Sequence, residues 1–397
     1  MTATEEMLRQ SLHARADRTA LEPTPMLDVV RRARELRRRS RRTTLIAAAA
    51  AVAAVGVPAG LALGSAGPDS SPSPADTTVT MDSLSDLPMG APPAVDYVLD
   101  RTYVSADGTK TELVVDPGSV HDAAPYSGGV LVATRSQAGD SVGIADQVLF
   151  GPGVQVENKS CGGEELAVSG DGAHAAYTFF DNGCDRWTSV VLRWGPTGEG
   201  TGDPLDIVTT NGQRVEPVGV TADRVLYNVV DSTGGEPRLR VYTTDEWGPP
   251  LEVKGIARAS TWDPTAGRVA GCSVDGQCVV VDEGDGSVQL TLDPGETPLS
   301  FSPDGRFLAT ATASDEQSPT VTVRDSRTGD VVTTLAGDDA AFQGDESSVA
   351  WEGSAHLLIA RVDGDGEALV RLGIDGSAEL ATPATEPTLG GYLLPGA

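Results

Sequence analysis

Leu299-Ser300-Phe301, Ser302-Pro303-Asp304-Gly305, Phe307-Leu308-Ala309-Thr310-Ala311-Thr312, Val321-Thr322-Val323-Arg324-Asp325, Ser326-Arg327-Thr328-Gly329 and Val331-Val332-Thr333-Thr334-Leu335 succeed one another between positions 299 and 335. The apolar runs are short, alternate in polarity and favour β-branched residues, and Gly, Pro, Asp and Ser bound each of them. This is the pattern of strands joined by tight turns. No helical periodicity intervenes, so the four strands predict an antiparallel meander rather than βαβ units.

The turn between the first two strands recurs on either side. Its aspartates stand at Asp171, Asp223, Asp263, Asp304 and Asp345, in steps of 52, 40, 41 and 41. A four-stranded unit of about forty residues is the blade length of a propeller. A less regular unit centres on Ser127-Gly128-Gly129. Strand remnants lie at both ends, in 97–115 and 388–394. A blade shared between the two ends removes the edge strands of a ring. The expectation is an all-β, seven-bladed β-propeller over residues 95–397, with six or eight blades as alternatives, closed by the C-terminal segment beside 97–115. These repeats resemble the WD40-like β-propeller superfamily, without its Gly-His pairs. The whole chain resembles uncharacterised bacterial single-pass, membrane-anchored propeller proteins.

Upstream of the repeats the composition changes. Residues 1–42 carry 11 Lys+Arg against 6 Asp+Glu, whereas the rest of the chain carries 18 against 51. So acidic a domain repels phosphate backbones, which excludes nucleic acid as its ligand. Residues 45–63 hold no charge. At helical rise they extend about 28 Å, enough to cross a bilayer core. Arg37, Arg38, Arg39, Arg41 and Arg42 stand just before this stretch, and the next basic residue after it is Arg101. The asymmetry predicts a cytoplasmic N-terminus and an extracytoplasmic C-terminal domain, single-pass in the cell membrane. A cleaved signal peptide is the competing reading, against which stands the long basic segment ahead of the apolar stretch. Gly56, Gly60 and Gly64 form a small-residue ridge of the kind that lets two spans self-associate, or fall so by chance in an Ala/Gly-rich segment.

The expected organisation is a basic cytoplasmic helical segment (1–42), a transmembrane helix (43–64), a Pro/Ser/Thr-rich linker (65–94) and the propeller (95–397). Within 1–42, Thr24-Pro25 reads as a cap and first-turn proline of a helix. That segment either docks a cytoplasmic partner or rests on anionic lipid. Its place before a single span resembles bacterial transmembrane anti-sigma factors. Those that bind zinc use His and Cys, and here only His13 precedes the span.

All four cysteines follow the span, which suits disulfides in an oxidising compartment. Cys272 and Cys278 face each other across a hairpin whose loop, Val274-Asp275-Gly276, puts Gly276 in the left-handed position. Cys161 and Cys184 are left to each other. A four-thiolate zinc site lacks any Cys-x-x-Cys spacing. Asp363-Gly364-Asp365-Gly366-Glu367 misses the EF-hand spacing and reads as a hairpin turn. The tryptophans, scattered over several repeats, read as packing between blades. No catalytic residue, cofactor or metal is expected, and 397 residues leave no room for an α/β-hydrolase domain beside the repeats. The functional expectation is a binding module for an extracytoplasmic protein or envelope ligand. Its rivals are an anti-sigma-like transmembrane regulator with a propeller sensor, and a propeller-type hydrolase or lyase with carboxylates converging beside Arg or His.

Overall fold

The computed structural model describes residues 77–81, 83–113, 120–126, 129–135, 145–151, 154–180, 190–196, 205–208, 213–231, 237–243, 250–314, 317–337, 341–342, 348–363, 366–388 and 391–394. The basic segment 1–42, the apolar stretch 43–64, Cys184 and Asp345 lie outside them. Among the described residues no helix is long and apolar enough to cross a membrane.

In chain order the strands are β1 Thr77–Met81, β2 Tyr97–Leu99, β3 Thr102–Val104, β4 Lys110–Glu112, β5 Val120–Tyr126, β6 Gly129–Arg135, β7 Ala145–Gly151, β8 Val154–Val168, β9 His174–Phe180 and β10 Val190–Pro196. There follow β11 Leu205–Val208, β12 Gln213–Val220, β13 Arg224–Asp231, β14 Arg238–Thr243, β15 Leu251–Glu252, β16 Arg258–Asp263, β17 Arg268–Cys272, β18 Cys278–Asp282, β19 Val288–Thr291 and β20 Glu296–Phe301. The last are β21 Phe307–Ser314, β22 Gln317–Asp325, β23 Val331–Gly337, β24 Ala341–Phe342, β25 Val349–Glu352, β26 His356–Asp363, β27 Gly366–Gly373, β28 Ala378–Leu380 and β29 Tyr392–Leu393.

These strands form six sheets. Sheet 1 is β29-β2-β3-β4, sheet 2 runs β5 to β11, sheet 3 β12 to β15 and sheet 4 β16 to β19. Sheet 5 is β20 to β23 with β1 added beside β23, and sheet 6 holds β24 to β28. The pairings are antiparallel apart from that of β1 with β23, and in sheet 6 both β24 and β25 pair with β26.

Alternation explains why both faces of a sheet are buried. In β21, Phe307, Ala309 and Ala311 point to one side and join Leu357, Ile359 and Val370 of sheet 6. Leu308 points to the other and joins Ala270 and Val280 of sheet 4. Six apolar clusters result, one at each junction of consecutive sheets, and the sixth joins sheet 6 to sheet 1 through Leu358, Leu369, Tyr392 and Leu394. The first strands β8, β12, β16, β20 and β25 touch in succession, and β29 touches both β27 and β5. The sheets therefore close into a ring whose wall is made of the first strands.

The ring closes as the repeats predicted. Val98 and Leu99 of β2 pair with Leu393 and Tyr392 of β29. The expectation of seven separate blades is corrected, since five sheets are blade-sized, with four or five strands, and sheet 2 has seven. The cause is β8, a strand of 15 residues. It pairs with β7 through Gly162 and with β9 from Gly162 onward, so two meanders share one ladder without a break.

The far end of the expected linker is also corrected. Thr77-Thr78-Val79-Thr80-Met81 is a β-prone alternating run hidden among prolines and serines, and it docks as β1. Met81 and Leu84 are buried in the junction of sheets 5 and 6, and Gly90 donates to the Leu380 carbonyl at 2.8 Å. Residues 77–96 thus form a strap across the outer edges of two sheets rather than a free stalk.

Candidate binding face at the mouth of the ring

The repeat aspartates Asp171, Asp223, Asp263 and Asp304 all lie in the turns that close the first hairpin of a unit. Ser169, Thr221 and Ser302 each donate a hydroxyl hydrogen bond to the aspartate two residues on, at 2.5, 2.9 and 2.7 Å. Asp263 instead accepts the Thr265 and Ala266 amides, both at 3.1 Å. A serine hydroxyl two residues away holds the carboxyls of Asp107, Asp171, Asp275 and Asp375 below the usual range, Asp107 at about 2. All are turn-forming groups; Asp275 sits in the β17–β18 hairpin of the opposite rim, and the others stand with the repeat turns on one rim of the ring. Arg224 and Arg268 staple this rim between sheets. Arg224 reaches Glu283 at 2.7 Å, and Arg268 reaches Asp263 and the Ser326 hydroxyl, both at 2.8 Å.

Cys272 and Cys278 are bridged, opposite each other in the ladder, and Gly276 has a φ of +83°, as the hairpin spacing predicted. The pairing of Cys161 with Cys184 falls outside the described residues. Trp262 and Trp351 are buried between sheets, as read from the sequence. Asp363 caps a hairpin turn by accepting the Gly366 amide at 3.1 Å. Gly139-Asp140-Ser141-Val142-Gly143 spells the Gly-x-Ser-x-Gly pattern. It falls between β6 and β7 in the chain. It too lies outside the described residues.

The opposite rim is where β12, β16 and β20 begin, because the aspartate turns stand at their ends. Glu216 is buried there between two arginines, Arg214 at 3.2 Å on the same strand and Arg258 at 3.1 Å on the next sheet. Asn228 clamps the same junction by donating to and accepting from the backbone of Ala259, at 2.9 Å each. Glu296 is likewise held by Arg324 at 2.8 Å. These carboxylates are matched to guanidinium groups across strands, an arrangement that fixes charge and strand position. Sequence reading passed over Arg214 and Glu216, although their i, i+2 spacing in a strand places both side chains on one face.

A groove of about 480 Å³ lies on this rim between sheets 3 and 4, lined by Arg238, Leu239, Glu252, Val253, Ile256 and Val274 among others. Its apolar floor, Leu239, Val253 and Ile256, belongs to the junction of sheets 3 and 4. One wall is the disulfide-bridged hairpin, whose tip residue Val274 is 65% exposed. The segment 253–257 forms another wall and leads directly into Arg258. Gly255, at a φ of +85°, lets this wall pass within 3.2 Å of the Gly286 carbonyl, measured from the position a Cβ would take. Among the described residues no group of His, Cys, Asp and Glu is disposed to hold a metal.

No family model matches the sequence, and no curated protein matches it. Among solved structures, prolyl oligopeptidase B from Galerina marginata is similar over 75% of this chain and 50% of that chain, at 10% identity and a TM-score of 0.51. Puromycin hydrolase is similar over 76% of this chain and 53% of that chain, at 13% identity and a TM-score of 0.50. TolB from Acinetobacter baumannii is similar over 81% of this chain and 89% of that chain, at 14% identity and a TM-score of 0.43. The chain spans about half the length of the first two. At such identities the likeness shows the fold alone, an all-β propeller.

Proposed function

We propose that this protein is a binding module, a propeller held outside the cell membrane by residues 43–64 that presents the groove beside Arg258 to an extracytoplasmic protein or envelope ligand. The observation that carries the reading is the construction of that groove. It combines an apolar floor with a few charged edges, Arg238, Glu252 and Lys254, and a wall stiffened by a disulfide. A preformed wall reduces the ordering cost of association. The anchoring half of the reading is supported by the uncharged stretch 45–63 and the arginines before it. The hydrolytic activities named for the structural neighbours belong to those proteins.

A photo-crosslinking residue in place of Val274, compared with one in place of Ala222 on the opposite rim, tests this in intact cells. Adducts are expected at Val274 and not at Ala222, with a tag after Ala397 reached by antibody from outside. Equal adducts at both positions, none at either, or a tag reached only after permeabilisation would contradict the reading.

A further inference from the structure

Arg361 is the largest fully buried side chain among the described residues. Leu357, Ile359 and Arg361 share one face of β26, so the guanidinium points into the same apolar junction of sheets 5 and 6 as its two neighbours. Among the described residues none of its three nitrogens has a hydrogen-bond partner. A buried arginine is normally forked onto a carboxylate or carbonyls, because a guanidinium taken out of water without a partner is strongly unfavourable. Burial accordingly pushes its pKa down, partly offset by the charge of Asp363.

The guanidinium packs against the β1–β23 ladder. A Cβ on Gly337 would meet an Arg361 terminal nitrogen at 2.6 Å and the Met81 carbonyl at 3.1 Å, so only glycine leaves the guanidinium its place. Met81 and Gly337 are partners in the β1–β23 ladder. Asp363 is already engaged, accepting the Leu84 amide at 2.6 Å and the Gly366 amide at 3.1 Å. The charge thus lies where the strap enters the ring, with none of its surface exposed. That enclosure selects against a peptide or headgroup and for a small ion.

We propose that Arg361 is the core of an internal site for a small monovalent anion of the size of chloride, which joins the strap to the junction of sheets 5 and 6. With the anion bound, β1 and the segment beyond it are pinned to the ring. Without it, the buried charge favours release of the strap. The site lies apart from the groove and does not depend on it.

Thermal unfolding of the full chain tests this, with sodium gluconate replaced stepwise by sodium chloride at constant ionic strength. Chloride should raise the wild-type midpoint saturably, by roughly 5 °C. Arg361→Met should abolish the response and melt above the wild type in gluconate, because an apolar side chain of similar length removes the uncompensated charge. If that variant does not fold, a bromide-soaked crystal of the wild type decides, by an anomalous peak beside the guanidinium. An equal chloride response in both proteins, or no response and no bromide peak in the wild type, would overturn the proposal. In the second case a carboxylate of the chain itself answers the charge.

Discussion

Ending the chain after Gly391 is expected to unfold the propeller, or to leave it aggregating, although only six residues are lost. Tyr392, Leu393 and Leu394 are buried, Leu394 completely. Tyr392 and Leu394 complete the junction of sheets 6 and 1, while Leu393 completes that of sheets 1 and 2. Deleting a buried side chain of this size costs about 2–5 kcal/mol, so the three together approach the 5–15 kcal/mol that separates a typical folded protein from its unfolded state. The deletion also bares β2, leaving a sheet edge open to pairing with other chains. Gel filtration and thermal unfolding of the two truncations give the comparison. A chain ending at Leu394 should behave as the full chain, and one ending at Gly391 should elute as aggregate or lose its cooperative transition.

Arg268→Ala should be the most damaging single substitution among the ion pairs, at about 3–5 kcal/mol. Both Arg268 and Asp263 are buried, and the guanidinium also donates to the Ser326 hydroxyl and the Gly305 carbonyl of the neighbouring sheet. Removal leaves the Asp263 carboxylate without its cation and leaves the Gly305 carbonyl only the Ser326 hydroxyl, at 2.6 Å, as a donor. Gly305 shows how closely this junction is fitted. Its φ is +66°, and a Cβ there would run into the Asp263 carboxylate. The partly exposed pair Arg101–Asp100, at 3.8 Å, provides the contrast, with Arg101→Ala costing about 1 kcal/mol. Denaturant midpoints of the two variants measure the difference. Similar midpoints would show that Arg268 is not the staple described.

What was legible in the sequence was local. Ser302-Pro303-Asp304-Gly305 announces its turn because the hydroxyl, the carboxylate and the positive φ all act within four residues. Cys272 and Cys278 announce their bridge because a hairpin fixes which residues face each other. The forty-residue period follows from such turns, and the closure of the ring follows from the period.

The rest depends on partners far apart in the chain. Arg258 meets Glu216 across 42 positions, and the vicinity of Arg361 depends on Met81 and Gly337, which pair across 256. No window of sequence contains such pairs. The strap was missed because averaging composition over 65–94 hid five strand-forming residues, and the seven-stranded sheet because β8 carries no turn at the boundary between its two meanders. The groove draws its lining from two sheets and could be seen only once both were placed.

The closed ring underlies the mouth, the groove and the strap alike, and β2 with β29 is where it closes. Val98 and Leu393 are partners in that ladder, and both side chains lie in the same apolar cluster. In the double variant Val98→Cys, Leu393→Cys, the two thiols should form an intramolecular disulfide under mild oxidation, seen as a faster band on a non-reducing gel and a loss of two hydrogens by mass. Two thiols that remain free under the same conditions, or that bridge only between molecules, would show that the ends of the chain do not meet and that the ring is open.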